Sequence, residues 1–269
     1  MPRKKKNLNI IFLGRKVGAV EAVQHLLKSG ASVKLIVAPR EEDYKPTLRE
    51  LARKHKIPFL YDDTKLYNLI KNRKSLILDT DLVISYLYWR KIKQPLFNLP
   101  KLGCINFHPA PLPDYKGRAG YNTAILNQSK FFGASAHFID SEEFDVGPII
   151  KVKRFPINSE NETAFSLEAK TQTELLALFK EVMADFLVGK KIKTKPNKEG
   201  IYWSGKYLEE AKKINLDQDS VADIDRKIRA FFFPPYSGAW VEIGGKKFTL
   251  INDQILNLIK KIIDDRKNK

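Results

Sequence analysis

The sequence lacks several features that would assign the protein to a familiar class. It has a single cysteine, Cys104, so it cannot form an internal disulfide, which agrees with a reducing compartment. No apolar run reaches the ~18 residues that a membrane-spanning helix needs. The basic start MPRKKKN is followed by an apolar run too short for a signal peptide. These absences predict a cytoplasmic protein without a membrane partner.

Two further absences limit the chemistry. The segment GRKVG, which follows the first apolar run, is not the GxGxxG pattern of a Gly-rich phosphate loop. His25 and His55 lie in helical segments without plausible partners, so we predict no metal site. His137 lies in the alternating segment GASAHFID, and we interpret it as a residue of the sheet face or the core.

Positive charge is abundant. Lys and Arg number 48 against 31 Asp and Glu, which gives a formal net charge of +17. Such an excess favours a polyanionic partner, which can be nucleic acid, an anionic membrane or a phosphorylated small molecule. The lysines are spread along the whole chain, however, and an ordinary lysine-rich surface explains them equally well. Charge alone therefore does not select a partner.

The apolar pattern of the first half predicts an α/β fold. A strand at 8–14, a helix at 17–30 and a strand at 32–38 form a βαβ unit, whose two strands are parallel. The pattern continues with a helix at 47–56 and strands at 57–61, 81–88 and 102–108. This order predicts a Rossmann-like, doubly wound, mostly parallel sheet, which binds ligands at the carboxyl ends of its strands.

The second half has a different pattern. Strands at 133–140 and 147–157, predicted to pair antiparallel, precede a helix at 163–187. The polar, lysine-rich segment 190–200 is typical of a linker. We therefore predict a catalytic domain at 1–190 and a small C-terminal region at 191–269. That region contains a helix near 220–231, a β-hairpin that turns at Gly244 and Gly245, and an amphipathic helix at the end.

The stretch CINFHPAPLPDYKG carries the strongest functional signal. Asn106 and His108 are two residues apart at the end of a predicted strand, so their side chains share one face. Three prolines within the next five residues stiffen the turn that follows. Asp145 lies in the acidic loop SEEFDVG. An amide, an imidazole and a carboxylate suit a reaction that passes through an oxyanion. A histidine that caps a loop and an aspartate in a turn are the equally open alternative.

The segments IIFLG, DLVISYLYWRKI, INFHPAPLPDYKG and FDVGPII occur here in the order seen in folate-dependent formyltransferases. Over about residues 8–190 the chain resembles that family, whose Asn-x-His pair, proline-rich turn and later Asp match Asn106, His108, Pro113, Gly117 and Asp145. The turn HPAPLP and the GYN at 120–122 resemble the nucleotide-sugar N-formyltransferase branch. Val146 departs from the pattern, because Thr often follows the Asp.

The resemblance implies a reaction. N10-formyltetrahydrofolate would donate the formyl group, without a metal, to the amine of a nucleoside-diphosphate-linked dideoxy-amino sugar, a step of lipopolysaccharide O-antigen biosynthesis. Asn106 and His108 would stabilise the oxyanion, His108 would take the amine proton, and Asp145 would assist proton transfer to the folate. The residues implied to bind the folate, largely through backbone, are Ile84, Ser85, Tyr86, Leu87, Asp140 and Asp145.

The acceptor would contact the C-terminal half of the chain as well. The rings between Phe231 and Tyr236 are too many for the core of one hairpin, so we expect one of them to stack on the nucleotide base. The residues predicted to bind the acceptor are Arg118, Tyr121, Phe232 and Tyr236. The same aromatic-rich hairpin predicts a homodimer surface in the C-terminal region.

Two alternatives stay open. A methionyl-tRNA formyltransferase would use the same residues, and the positive charge would suit tRNA. That branch, however, carries a C-terminal β-barrel, for which the residues after the linker are too few and too helical, so we do not expect a nucleic acid partner. The other alternative is a non-catalytic basic binding module on the same scaffold. The intact set of Asn106, His108 and Asp145 argues against it.

Overall fold

The computed structural model describes residues 6–267 and contains strands and helices in alternation. In chain order the strands are β1 (Asn9–Gly14), β2 (Ser32–Val37), β3 (Phe59–Leu60), β4 (Leu82–Tyr86), β5 (Cys104–His108), β6 (Tyr115–Gly117), β7 (Phe131–Ile139), β8 (Ile149–Pro156), β9 (Ile201–Trp203), β10 (Trp240–Ile243) and β11 (Lys246–Thr249). The helices are α1 (Val17–Lys28), α2 (Leu48–Lys54), α3 (Thr64–Lys71), α4 (Ser75–Leu78), α5 (Gly120–Leu126), α6 (Ala164–Leu187), α7 (Gly205–Ala211), α8 (Val221–Phe231) and α9 (Asp253–Lys267).

Seven strands form the main sheet, in the order β3-β2-β1-β4-β5-β7-β8. Strands β1 to β5 run parallel, whereas β7 pairs antiparallel with β5. The chain builds outwards from β1 to β3 and then continues on the other side of β1 with β4. This reversal is the switch point at which doubly wound sheets bind ligands. The predicted Rossmann-like α/β fold is confirmed.

Apolar side chains on both faces of the sheet form the core. Because successive side chains of a strand point to opposite faces, Phe12 packs into one apolar cluster and Leu13 into another. On the first face the rings of Phe12, Tyr86 and Phe107 surround Phe179 of α6, with centroid distances of 6.4, 5.8 and 4.8 Å. Edge-on contacts of this kind stabilise aromatic cores beyond the area that they bury.

The single cysteine lies inside this sheet. Cys104 begins β5 and is 1% exposed, with Val83 of β4 on one side and Ile139 of β7 on the other. Burial raises the pKa of its thiol, because the thiolate would lose its hydration. The role of Cys104 is therefore packing.

The chain divides into two compact units, and the division does not follow the sequence order. The first unit contains residues up to Lys116, Gly133–Arg154 and Thr171–Ile201. The second contains Gly117–Phe132, Phe155–Lys170 and the residues from Tyr202 onward. The sequence predicts a boundary near residue 190, where the composition changes, and that boundary stays a prediction. The lysine-rich segment 190–200 lies in the first unit.

The second unit contains the predicted hairpin. Strands β10 and β11 pair antiparallel around Gly244 and Gly245, which have φ of 56° and 74°, a conformation that favours glycine. Helix α8 begins with a capping box, in which the side chains of Ser220 and Asp223 each accept from the other's backbone N–H. The Nδ2 of Asn122 in α5 donates to the carbonyl of Ala230 in α8 at 2.7 Å.

The surface of the hairpin is partly apolar, since Ile243 and Phe248 are exposed. The predicted homodimer stays a prediction. No helix within residues 6–267 has the length and apolar character that crossing a membrane would require.

Candidate active site

Three neighbouring strands bring polar side chains into one row. Ser85 of β4 pairs in register with Asn106 of β5, and Asn106 pairs with His137 of β7. Paired residues of adjacent strands point to the same face, so the three side chains lie side by side. Two residues further along β5, and therefore on the same face, His108 pairs with Ser135. The predicted common face of Asn106 and His108 therefore exists, and it extends over three strands.

The proline-rich turn after β5 is held by Ser135. Its Oγ donates to the carbonyl of Ala110 and accepts from the N–H of Leu112, both at 2.8 Å. Further along the turn, the carbonyl of Tyr115 lies 2.9 Å from Nε2 of His108. A carbonyl only accepts, so Nε2 carries the proton and donates it. The turn thus fixes the ring of His108 and leaves Nδ1 facing the site.

Asp145 completes the predicted set. It is 7% exposed, and its backbone has φ of +56°, which is rare for a residue other than glycine. Its Oδ1 lies 3.4 Å from Nδ1 of His108 and accepts a hydrogen bond from Nδ2 of Asn106 at 3.3 Å. The structure therefore brings the three predicted catalytic residues into contact.

His137 is a fourth member that the sequence reasoning missed. Its Nε2 lies 3.0 Å from Nδ2 of Asn106 and 3.3 Å from Oδ1 of Asp145. Its Nδ1 lies 2.8 Å from the carbonyl of Phe138, to which it donates. The interpretation of His137 as a residue of the sheet face was right about its place, but that face is the site. Only the register of β5 and β7 could have revealed this, and the register is a long-range property.

Hydrogen bonding orients the whole cluster. The hydroxyl of Ser85 donates to Oδ1 of Asn106 at 2.8 Å, so the Asn106 amide nitrogen points into the site. His108 and His137 each donate one ring N–H to a backbone carbonyl, so the other ring nitrogen of each faces Asp145. A proton shared between the carboxylate and either ring turns these contacts into hydrogen bonds. The cluster can therefore hold and pass one proton beside an amide donor, as general acid–base chemistry requires.

A cavity with about 440 Å³ of empty space opens at this row. Of the residues predicted to bind folate, Ser85, Asp140 and Asp145 line it, together with the apolar Ile92 and Ile139. By contrast, the side chains of the remaining three, Ile84, Tyr86 and Leu87, pack into the core on the opposite face. The carbonyls of Tyr86 and Leu87 accept hydrogen bonds from Arg15. The mixed polar and apolar lining suits a flat ligand that carries polar edges.

The residues predicted to bind the acceptor all lie in the second unit. Arg118 is exposed, and Tyr121 packs its ring against Phe132 at 5.6 Å. Phe232 is 7% exposed and packs against Phe165, whereas Tyr236 is 70% exposed. Of the rings that one hairpin was not expected to bury, Tyr236 is exposed, whereas Phe232 is buried against Phe165 of α6.

Phe232 and Tyr236 also line a cavity of their own, with about 520 Å³ of empty space. It lies within the second unit, and its wall consists mainly of rings and prolines. Its other lining residues are Ile228, Phe231, Phe233, Pro234, Pro235, Gly238, Thr249, Leu250 and Ile251. Arg118 and Tyr121 are not among these residues. A largely apolar, aromatic cavity of this kind suits a planar ring.

A comparison with protein families identifies the scaffold. The model of the formyl transferase family matches residues 8–183, which is well over half of the chain. The chain belongs to the formyl transferase family. The resemblance seen in the sequence is confirmed, and the protein is an enzyme of the formyltransferase type.

Named relatives of this formyltransferase include two kinds of enzyme. It is 29% identical over 248 residues to the methionyl-tRNA formyltransferase of Thermotoga maritima, and this match covers 87% of this chain and 76% of that protein. It is also 29% identical over 252 residues to the GDP-perosamine N-formyltransferase of Brucella melitensis, which covers 90% of this chain and 92% of that protein. Sequence identity therefore does not separate the two.

A solved structure shares the fold of this formyltransferase. The N-formyltransferase from Helicobacter canadensis, crystallised with folinic acid and dTDP-3-aminofucose, superimposes with a TM-score of 0.70 at 23% identity. The match covers 91% of this chain and 89% of that one. The architecture thus extends over nearly the whole formyltransferase, including the residues beyond the family match.

Proposed function

We propose that this formyltransferase transfers a formyl group from N10-formyltetrahydrofolate to the primary amine of a nucleoside-diphosphate-linked dideoxy-amino sugar. The observation that carries the proposal is the pair of cavities. One has a mixed lining that includes Asn106 and Asp145, which contacts His108, and the other is aromatic and suits a nucleotide base. Two similar proteins support the same acceptor. The Brucella enzyme is named for GDP-perosamine, and the Helicobacter structure contains dTDP-3-aminofucose.

The first cavity would bind the folate. Ser85, Asp140 and Asp145 would offer polar atoms to the pterin edge, while Ile92 and Ile139 would contact its face. N10-formyltetrahydrofolate supplies the formyl carbon when it is bound. The Asn106 amide nitrogen, oriented by Ser85, would turn the N–H that now reaches Asp145 at 3.3 Å to the formyl oxygen as negative charge develops there.

The histidines and the carboxylate would move the proton. The attacking amine must lose a proton, and Nδ1 of His108 is free to accept one because Nε2 donates to Tyr115. Asp145, 3.4 Å away, would stabilise the resulting imidazolium. It would then assist the passage of that proton to N10 of the folate, as the bond between the formyl carbon and N10 breaks and tetrahydrofolate leaves. His137 would hold Asn106 and Asp145 in place from the other side, through contacts of 3.0 and 3.3 Å.

Methionyl-tRNA is the second candidate acceptor. The Thermotoga relative and the net charge of +17 favour it, because tRNA is a polyanion. Against it stands the make-up of the second unit from Tyr202 onward, where the described residues form helices α7, α8 and α9 and the β10–β11 hairpin. Helices and one hairpin differ from the β-barrel that the tRNA branch was expected to carry.

A panel of acceptors tests the proposal. The full-length enzyme is incubated with N10-formyltetrahydrofolate and dTDP-, UDP- or GDP-linked sugars that carry an amine at C-3 or C-4, and with methionyl-tRNA. We expect one sugar nucleotide to gain one formyl group by mass, faster than any other acceptor. Formylation of methionyl-tRNA alone would overturn the sugar assignment. No formylation of any amine would overturn the proposal altogether.

We expect Tyr236→Ala to raise the KM for the sugar nucleotide by about 5- to 150-fold, because stacking of a base on an aromatic ring contributes roughly 1–3 kcal/mol. The exposed ring of Tyr236 is available for such a contact. Turnover should change little, since the contact is equal in the ground and transition states. Steady-state kinetics with the preferred acceptor measures both values, and the folate KM should stay constant.

The matched control is Phe248→Ala, which removes an exposed ring on β11 that does not line the aromatic cavity. It should leave the acceptor KM unchanged. If Tyr236→Ala is folded and keeps the wild-type KM, the base binds elsewhere. If Tyr236→Ala unfolds the protein or dissociates a dimer, the ring is a packing residue.

We expect His137→Phe to lower turnover by up to about 10²-fold, because a displacement of reacting groups by about 1 Å has an effect of that size. The ring would still fill the space, but it could not accept from Asn106. Turnover at saturating concentrations of both substrates measures the effect, and circular dichroism reports the fold. If the variant folds and keeps wild-type turnover, His137 only fills space in the sheet and does not position the catalytic residues.

A further inference from the structure

The lysine-rich segment 195–200 resembles a linker in sequence but is bonded like part of the site. At its start, Lys195 exchanges two backbone hydrogen bonds with Ile149, at 2.8 and 2.9 Å. Ile149 begins β8, four residues after Asp145. The segment therefore adds a short antiparallel bridge to the end of the loop that carries the catalytic carboxylate.

Asn197 reaches that loop directly. Its Nδ2 donates to the carbonyl of Asp145 at 2.8 Å and to the carbonyl of Gly147 at 2.9 Å. Its own Oδ1 is buried and accepts no hydrogen bond from the residues that the structure describes. The amide is thus used only as a double donor. It joins two carbonyls that flank Val146, in a loop where Asp145 has a positive φ.

The loop has little freedom to adapt at Gly147. A Cβ at that position would lie 1.9 Å from the carbonyl oxygen of Phe138, so the backbone passes the strand at a distance that only glycine allows. Gly147 is therefore fixed from one side by β7 and from the other by Asn197. Because Asp145 is two residues away, the same hydrogen bonds fix where its carboxylate points.

The other end of the segment contacts the turn of His108. Gly200 has φ of +79°, and a Cβ there would lie 1.8 Å from the carbonyl oxygen of Pro113. The side chain of Lys116 donates to the carbonyl of Glu199. Pro113 lies two residues before Tyr115 and Lys116 directly after it, and the carbonyl of Tyr115 accepts from His108. Residues 195–200 thus touch both loops that position catalytic groups.

We infer that residues 195–200 form a strap that sets the Asp145 loop and the His108 turn relative to each other, with Asn197 as the positioning residue for Asp145. The inference rests on the proposed function. Asn197 acts through the backbone of Asp145 and takes no part in the chemistry. Its loss should therefore reduce turnover by a larger factor than it raises the folate KM, because Asp145 also lines the folate cavity, and it should leave the acceptor KM nearly unchanged.

The test uses Asn197→Asp, which keeps the size of the side chain but replaces the donor by an oxygen that repels both carbonyls, and Asn197→Ala. The control is Lys198→Ala, an exposed neighbour on the same strap. We expect both Asn197 variants to lose about 10- to 100-fold in kcat, because a misplacement of about 1 Å can cost 10²-fold. Lys198→Ala should behave like the wild type.

Hydrogen exchange gives a readout that does not depend on the acceptor. In the Asn197 variants, peptides from the 140–149 loop should exchange faster than in the wild type, while peptides from β1 and β4 should keep their protection. Unchanged exchange, or faster exchange with unchanged kcat, would overturn the inference. So would uniformly faster exchange, which would indicate general destabilisation. If one Asn197 variant does not fold, the other is used.

The two hypotheses fail in different ways. If the wild-type enzyme formylates no amine, the proposed function is wrong, and local exchange in the Asn197 variants still decides whether the strap holds the loop. If the wild type is active and Asn197→Asp matches it in kcat, the strap has no positioning role, whatever the acceptor.

Discussion

Asp145→Asn should reduce formyl transfer by about 10²- to 10⁴-fold, the usual contribution of general acid–base catalysis. The substitution keeps the shape of the side chain but removes the charge that faces the two imidazoles at 3.4 and 3.3 Å. An amide cannot hold a mobile proton between them. The fold should persist, because burying a neutral amide costs less than burying a charge.

The measurement is turnover at saturating concentrations of both substrates, with the melting temperature as the check on folding. Asp43→Asn is the matched control, since it makes the same chemical change at an exposed position of the first unit. It should keep wild-type turnover. If the folded Asp145→Asn enzyme turns over at the wild-type rate, the carboxylate is structural and the proton route proposed above is wrong.

His108→Asn should cause a loss of similar size, also about 10²- to 10⁴-fold in kcat. The shorter side chain cannot donate to Tyr115 and present an acceptor to the substrate amine at the same time, as the imidazole does with its two nitrogens. Single-turnover kinetics with preformed enzyme and both substrates isolates the chemical step, so a slow product release cannot hide the effect.

His55→Asn serves as the comparison for His108→Asn. His55 is an exposed residue at the end of α2, and its replacement should leave the single-turnover rate unchanged. A folded His108→Asn protein with an unchanged chemical step would mean that another base accepts the amine proton. His137 would then be the first residue to examine, because it also contacts Asp145.

Strands β1 to β5 and helices α1 and α2 could be predicted because their pattern is local, whereas the short helices α3 and α4 were not predicted. Runs such as 8–14 and 32–38 alternate with helical segments, and a parallel sheet follows from that order alone. The Gly244–Gly245 turn is equally local, since positive φ at both positions selects glycine. Helix α5 could not be predicted, because its seven residues, which begin with glycine, are too few for a clear helical period.

The parts of the site that could not be predicted depend on contacts between distant residues. His137 joins the cluster because of the register of β7 against β5. A shift of that register by one residue would move every side chain of β7 to the other face of the sheet. Asn197 contacts residues about 50 positions earlier, from a segment whose composition indicates a linker. The composition of a segment indicates how exposed it is to solvent. It does not indicate which distant backbone groups the segment hydrogen-bonds to.

The burial of Cys104 makes the native chain a ready background for site-directed labelling. The thiolate is the nucleophile that attacks thiol reagents, and Cys104 is enclosed between β4 and β7, where burial disfavours its ionised form. A cysteine introduced on the surface would therefore be the one that takes up a fluorophore or a spin label. In the unlabelled protein, the slow reaction of Cys104 would instead time the opening of the central strands, because the reagent reaches it only in molecules whose sheet has parted.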